Sequence, residues 1–551
     1  MDGKSIVERN NHLKSQAATW RTVWQDIADY VMPRKSEVED RKTPDVDGWT
    51  DEIYDTTAIH ANMALAAGQL NYLTPAGERW FSFASPVGSE GNDEDAGWMN
   101  EATTAVLEAL ARSNFYLEVH EMYLDRGAFG TSNLYVEESD DGGIRFKCHR
   151  AGTYHVSENH EGMVDTVFRE FEMTARQAYQ KFGEELPAKL LNLVKEGDPK
   201  GKDANFKFIH AVYPREDGDR DYSKQDGENK PIASVYVCLE ENKIVQVGGY
   251  DSMPYFVSRY LKWGDECYGY GPSIEALPTI RQLNFIEKQL DALAEQAAFP
   301  RVLVPDSLEG EVDMRAAGIT FFDPNNPAAM PKEWATQGRY DVGRDRCEQK
   351  RDSIRRSYHN DLFRMFAERD KQMTATEVLE LAEEKLIQFS PTFARMVGEI
   401  LDPMLERVFG LLYQQGKIPQ PPRSLMVETD EGVGMQMPKI EYTSKIALAI
   451  KMMESRQFLA FTEIMGPLAQ FKPEVLDAID FDKATRGLAR NFSLRNEWLR
   501  SEEDVDELRE ARAAAQQAME QAEMAKTTAE AAKTASEVSP EGMNRMEGMF
   551  N

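Results

Sequence analysis

Apolar residues recur every three or four positions at both ends of the chain and through its middle. They alternate with polar ones in the stretches between, so helices should bracket a strand-rich block. Over residues 4–32, Ile6, Leu13, Ala17, Trp20, Val23, Trp24, Ile27, Ala28 and Val31 form one helical stripe that Pro33 ends. The polar residues 34–52 read as a loop, and a second helix is expected from about Thr56 to Leu73. Trp80-Phe81-Ser82-Phe83 reads as the start of a buried strand. Two more helices follow, from about Glu94 to Ser113 and from Phe115 to near Gly127. From Asn133 to Thr174 the pattern has period two, giving four antiparallel strands joined by Asp-Gly and Glu-Gly turns. Short helices over Thr174–Gly183 and Pro187–Lys195 precede four more strands between Phe206 and Trp263. The first half is therefore α+β.

The helical period returns at Pro272–Phe299, where Leu277, Ile280, Leu283, Ile286, Leu290, Leu293 and Ala297 share a face. Pro272 suits a helix start, and Pro278 marks either the regular beginning or a kink. A Pro- and Gly-rich connection of strand and turn character, 300–339, leads to a return helix over Tyr340–Glu368. Each of these helices spans roughly 40 Å. After Arg369-Asp370-Lys371-Gln372-Met373, the run Thr374-Ala375-Thr376-Glu377 has the form of a capping box and opens a third long helix to Gly416, interrupted at Pro391 and Pro403. Residues 423–443 read as strands, Ile446–Met453 as helix, and Phe458–Leu508 as several short helices. The Ala-, Glu- and Gln-rich segment 502–537 is either a long helix on a multimer or a partly disordered tail, and 538–551 should be loose.

Composition narrows the function. The 551 residues carry a net charge of −30, with 41% hydrophobic and 10% aromatic residues, so the chain folds and is strongly acidic. An acidic total argues against a sequence-reading DNA-binding domain, which needs clustered Lys and Arg. It is compatible with a conduit that lets DNA slide. The four cysteines Cys148, Cys238, Cys267 and Cys347 form no CxxC pair and read as reduced thiols. No signal peptide or run of 18 apolar residues is seen, so no direct membrane binding is expected.

Most enzyme-like motifs fail on inspection. Gly197–Asp203 imitates a phosphate loop but is one residue short, and Asp203 stands where Ser or Thr would hold magnesium. Asp217, Asp219, Asp221 and Glu228 match positions of a calcium loop, yet Tyr222 takes the place of the turn glycine, leaving an acidic hairpin or a weak metal site. His120, His149, His155, His160 and His210 fall on different elements, and there is no HExxH or GxSxG. No cofactor is called for. The return helix is locally basic, with Lys350, Arg351, Arg355, Arg356 and Arg364 prominent. Spacing allows Glu348 to meet Arg344 and Arg351, and Asp352 to meet Arg355 and Arg356. This is either a salt-bridged helix face or a set of cations facing a channel or a neighbouring subunit.

The order of motifs over about 400 residues resembles the portal, or head-to-tail connector, proteins of short-tailed bacteriophages. The resemblance rests on Tyr54-Asp55-Thr56-Thr57, Leu73-Thr74-Pro75 with Trp80-Phe81, and Arg259-Tyr260 followed by Gly264–Pro272. Thr374–Val378 and Ile440–Ser444 complete it, while Cys267 and Tyr270 depart from the usual Gly-rich run. It implies a wing (1–271 and 376–455), stem helices 272–299 and 340–368, a clip at 300–339, a tunnel loop at 369–375, and a helical crown at 456–537. It further implies a dodecameric ring at one capsid vertex through which double-stranded DNA passes without sequence reading. Terminase and tail adaptor would dock on it, capsid and scaffolding proteins would surround it, and it would have no catalytic activity. Arg369, Asp370, Lys371, Gln372 and Met373 would then face the DNA. The rivals are a soluble metal-dependent enzyme with a helical insertion, and another structural virion protein.

Overall fold

A computed structural model describes residues 2–33, 53–85, 93–139, 142–195, 199–298, 340–367, 388–444 and 502–537, with gaps at 217, 219, 222–223, 225, 430–431 and 436, and shorter pieces at 302–303, 325, 332–333, 446–447, 458, 461–465, 467 and 479–491. Two compact units result, Met1–Met453 and Glu454–Asn551.

The first unit opens with α1 (Gly3–Gln16), α2 (Ala18–Tyr30) and α3 (Thr57–Leu73), then β1 (Phe81–Ala84), α4 (Asp93–Arg112) and α5 (Phe115–Phe129). The strand-rich block follows: β2 (Thr131–Glu138), β3 (Ile144–His149), β4 (Tyr154–Glu158), β5 (Val164–Thr174), α6 (Ala175–Phe182), α7 (Ala188–Lys195), α8 (Pro199–Lys202), β6 (Asn205–Pro214), β7 (Ile232–Cys238), β8 (Lys243–Tyr250) and β9 (Tyr255–Arg259). Each strand from β2 to β9 overlaps a segment predicted as strand.

Strands β4 to β8 form a five-stranded antiparallel sheet in sequence order, and β3-β2-β9 form a second sheet. Alternation decides what covers each face. Ile209, Ala211, Tyr213, Ala233, Val235 and Val237 pack on Ile6 and Leu13 of α1. Their neighbours Phe206, Phe208, Tyr236 and Cys238 point the other way, onto Ala178, Phe182 and Leu190 of α6 and α7. The helix expected over 4–32 is two helices broken at Ala17, because α1 lies on the five-stranded sheet while α2 packs against α5 and the next long helix.

That helix is α9 (Pro272–Ala298), continuous through Pro278. Ser273 near its start hydrogen-bonds the Gly127 carbonyl at 2.8 Å and the Tyr358 hydroxyl at 2.6 Å. The Gly-rich run before it has a steric reason. A side chain on Gly269 would sit 2.3 Å from the Gly130 carbonyl oxygen, and one on Gly271 would sit 2.8 Å from the Gly130 backbone. Gly130 itself has φ +72°, so three glycines let two backbones touch.

The connection after α9 includes a two-stranded piece, β10 (Val302–Leu303) with β11 (Lys332–Glu333). The rest of the segment predicted as a clip, 300–339, lies outside the described residues apart from Asn325.

The expected single return helix, 340–368, is corrected to two: α10 (Tyr340–Ser357) and α11 (Asn360–Ala367). His359 adopts a left-handed φ of 51°. The break re-aims the chain, so that Tyr358 reaches Ser273 while the Phe363 ring rests against Gly68 of α3. Residues 368–387 lie outside the described set, including the predicted tunnel loop and the helix start at Thr374–Glu377.

From 388 the chain is helical through Pro391 (α12, 388–396), passes through a π-turn at Val397–Leu401, and continues as α13 (Asp402–Gln414). After β12 (Met426–Thr429) and β13 (Gly432–Met435), β14 (Lys439–Tyr442) pairs antiparallel with β1, Tyr442 facing Phe81. The two aromatic-containing motifs at opposite ends of the first unit are therefore one ribbon.

The second unit contains helices Phe481–Asn491 and Glu502–Glu537. The Ala-rich segment is thus helical. It spans about 54 Å, and its described side chains are exposed except for half-buried Val505.

Candidate functional site: the basic helical hairpin and its buried clamp

α9 and α10 pack as an antiparallel hairpin. Leu283 and Leu290 of α9 meet the buried Cys347 and Ile354 of α10, and Gly343 leaves room for Leu290, whose Cδ2 would lie 2.5 Å from an added Cβ. Burial beside Glu287 pushes the Cys347 thiol up to about 11, so it stays protonated and unreactive.

The cations predicted on α10 divide by partner. Arg351 donates to Asp55 at 2.8 Å, Glu287 at 2.6 Å and Glu348 at 3.2 Å. Partial burial opposes its charge, but these carboxylates outweigh it and raise its pKa further. Arg355 meets Asp352 at 2.8 Å and Glu348 at 3.2 Å. Both are structural pairs within one chain, and the expected Glu348–Arg351 and Asp352–Arg355 contacts form. Among the described residues Arg356 reaches only the backbone carbonyl of Asp352, at 3.3 Å, and it is exposed. Lys350 donates to Gln282 at 2.6 Å and meets no carboxylate among the described residues. The Arg364 side chain and all of Arg369, Asp370, Lys371, Gln372 and Met373 lie outside the described residues.

On one side of the hairpin runs an open groove of about 460 Å³ lined by Arg281, Gln282, Phe285, Ile286, Arg346 and Lys350. Phe285 is 63% exposed there. The sequence pattern leaves this residue off the buried stripe without saying what stands beside it.

The acidic hairpin is described only in part. Asp221 forms an ion pair with Lys224 at 3.3 Å, and its backbone N–H donates to Asn229. Glu228 is exposed, and Asp217 and Asp219 lie outside the described residues. Among the described residues no group of three or more His, Cys, Asp or Glu could hold a metal ion. The phosphate-loop look-alike ends in a single helical turn, α8, whose Gly201 backs onto Leu193.

Two buried clusters were not anticipated. In the first, Glu399 on the π-turn accepts from the Arg259 backbone N–H at 2.7 Å, from its Nε at 3.0 Å and Nη2 at 2.7 Å, and from Arg395 at 3.1 Å. Arg259 also binds Glu158, which Lys262 approaches at 2.7 Å. Arg126, fully buried, donates to Ser258 at 3.0 Å and to the Thr392 carbonyl at 2.8 Å. The cluster clamps β9 and α5 to α12 and the π-turn that follows it. Its signal in the sequence is slight: single charges inside the apolar runs Phe256–Leu261 and Met396–Leu401.

In the second, His210 lies flat on Tyr236, with ring centroids 4.0 Å apart, and bonds the Tyr255 hydroxyl at 2.7 Å and Ser234 at 2.9 Å. His149 tilts against Tyr135 and Tyr255 beside it. Burial holds both imidazoles well below their ordinary value. Through Tyr255 on β9 and Tyr135 on β2, these contacts join the two sheets.

The chain thus combines a mixed α+β body, a long antiparallel helical hairpin and a late strand that closes on an early one. Residues 4–499 match the family model described as bacteriophage head to tail connecting protein, and the chain belongs to that family. It is 30% identical over 534 residues to the probable portal protein of Bordetella phage BPP-1, covering 94% of this chain and 92% of that one. It is 28% identical over 525 residues to the portal protein of Salmonella phage epsilon15, covering 93% of this chain and 91% of the other. The resemblance read from the motifs holds at the level of the family, and the protein is a phage head–tail connector component.

Proposed function

We propose that the chain forms a closed ring of about twelve copies at one capsid vertex, because a repeated heterologous contact that closes yields a ring. DNA enters the procapsid and leaves the virion through the ring. A separate packaging ATPase, the terminase, drives entry, so the ring needs no cofactor. Residues 300–339 form the clip on which terminase and tail adaptor dock, and capsid and scaffolding proteins hold the rim. α9 and α10 are the stem, 369–375 the tunnel loop, and 456–537 the crown. Arg356, Arg364, Arg369 and Lys371 would offer scattered phosphate contacts to the passing duplex. An acidic protomer keeps such contacts few, and DNA slides rather than sticks.

The observation that carries this reading is the match to two portal proteins along more than nine-tenths of each chain. The exposed helix Glu502–Glu537 supports it. Leu508, Ala511, Ala515, Ala518, Ala522, Ala525 and Ala529 alternate at spacings of three and four, the spacing of a seam that neighbouring helices cover. The test is an infection by phage lacking this chain, with and without the chain supplied from a plasmid. Heads should remain empty of DNA without it and fill with it. Heads that fill in its absence contradict the proposal.

A further inference from the structure

The groove between α9 and α10 stands open among the described residues. Its lining combines the apolar Ile286 and exposed Phe285 with the cations Arg346 and Lys350. Arg281, paired with Asp26 of α2, forms the end wall. Neither Arg346 nor Lys350 meets a carboxylate among the described residues. The surface is thus apolar and cationic in a chain of net charge −30.

The same helix carries the complement. Asp291 and Glu295 of α9 are exposed, and neither has an ion pair among the described residues. They follow Phe285 by six and ten residues, which places them about 120° and 80° from it, measured the short way round the helix. The hairpin therefore shows a cationic apolar groove on one flank and an acidic ridge on another.

We infer that the groove of Phe285, Arg346 and Lys350 receives the Asp291–Glu295 ridge of a second copy of this chain. Every copy offers both surfaces, so the contact is heterologous and repeats from subunit to subunit. Phe285 supplies the buried apolar anchor, and the charges set the register. The inference rests on the ring reading and names the contact that closes the ring.

The test uses two full-length variants, R346E/K350E and D291K/E295K, alone and mixed, sized by mass photometry. The altered side chains are exposed or half-exposed, so thermal melts should match wild type and show that both variants fold. In either variant alone like charges meet at every contact, and assembly should need at least about tenfold more protein than wild type. In an equimolar mixture each acidic groove finds a basic ridge and each basic groove an acidic one, so alternating rings should return at the wild-type concentration. F285D should weaken assembly like the single-flank variants, without rescue by mixing. If each charge variant alone forms rings as readily as wild type, or if the mixture stays unassembled, the inference is wrong. If R346E/K350E assembles normally but loses binding of a single-stranded oligonucleotide that wild type binds, the groove is a nucleic-acid platform and the inference is again wrong. A wild-type chain that never assembles would count against the ring itself and not against this face.

Discussion

Removing the Glu399 carboxylate should destabilise the first unit more than removing any exposed charge on the hairpin. Glu399 keeps 7% of its side chain exposed and Arg259 only 1%. It accepts three hydrogen bonds from Arg259 and one from Arg395. Glu399→Ala leaves Arg259 with Glu158 and the Gly162 carbonyl, while Arg126 and Arg395 stay nearby. Breaking a buried pair from one side costs about 3–5 kcal/mol. Glu399→Gln keeps an acceptor but not the charge, and should cost about 1.5–3 kcal/mol. Glu348→Ala is the comparison, because Glu348 also pairs with two arginines but is 56% exposed. It should cost about 0.2–1 kcal/mol. Urea unfolding of the full chain, followed through tryptophan fluorescence, reads the difference, since Trp24 and Trp80 are buried in the same unit. A Glu399→Ala loss below about 1 kcal/mol, or one no larger than that of Glu348→Ala, would refute the clamp.

Two other outcomes follow from packing and protonation. Gly130→Ala puts a Cβ 2.4 Å from the Gly269 carbonyl oxygen at φ +72° and should cost about 3 kcal/mol or more; Gly77→Ala, with nothing within 4 Å of the added atom, should leave the urea midpoint nearly unmoved. Burial holds His155 down at about 4, so between that value and the ordinary 6.5 the unfolded chain binds a proton that the folded chain does not. Stability from this group is present above pH 6.5 and is lost as pH falls toward 4, by about 3 kcal/mol in all. His149 and His210 act in the same direction. Unfolding measured at pH 7 and pH 5 should show the decline, His155→Gln should make it shallower while the share of His149 and His210 remains, and equal stability at both values would contradict the assignment.

Periodicity made many elements legible because helices such as α1 and strands such as β3 bury one face. It could not show the break at Tyr358–His359, since the apolar spacing runs on across it and the turn is fixed by Ser273, 85 residues away. Nor could it say which cations were already paired: Arg351 finds Asp55 across 296 residues, while spacing reveals only neighbours three or four positions apart. The Gly264–Pro272 run was visible as a motif, but its reason, two backbones in contact at Gly130, exists only in three dimensions. The calcium-loop spacing picks out Asp221 and Glu228, but that Asp221 pairs with Lys224 appears only in the structure. The clamp at Glu399 left the faintest trace, because a buried charge in an apolar run cannot be told from an exposed one without its partner.

The most direct measurement of the central claim is the mass and outline of the purified full-length chain, taken by mass photometry and negative-stain imaging of one sample over a range of concentrations, with and without scaffolding protein. The account predicts closed rings with a central hole and a mass near twelve times the 62.6 kDa of one chain. A chain that stays monomeric or dimeric at every concentration and with scaffolding protein present would contradict it.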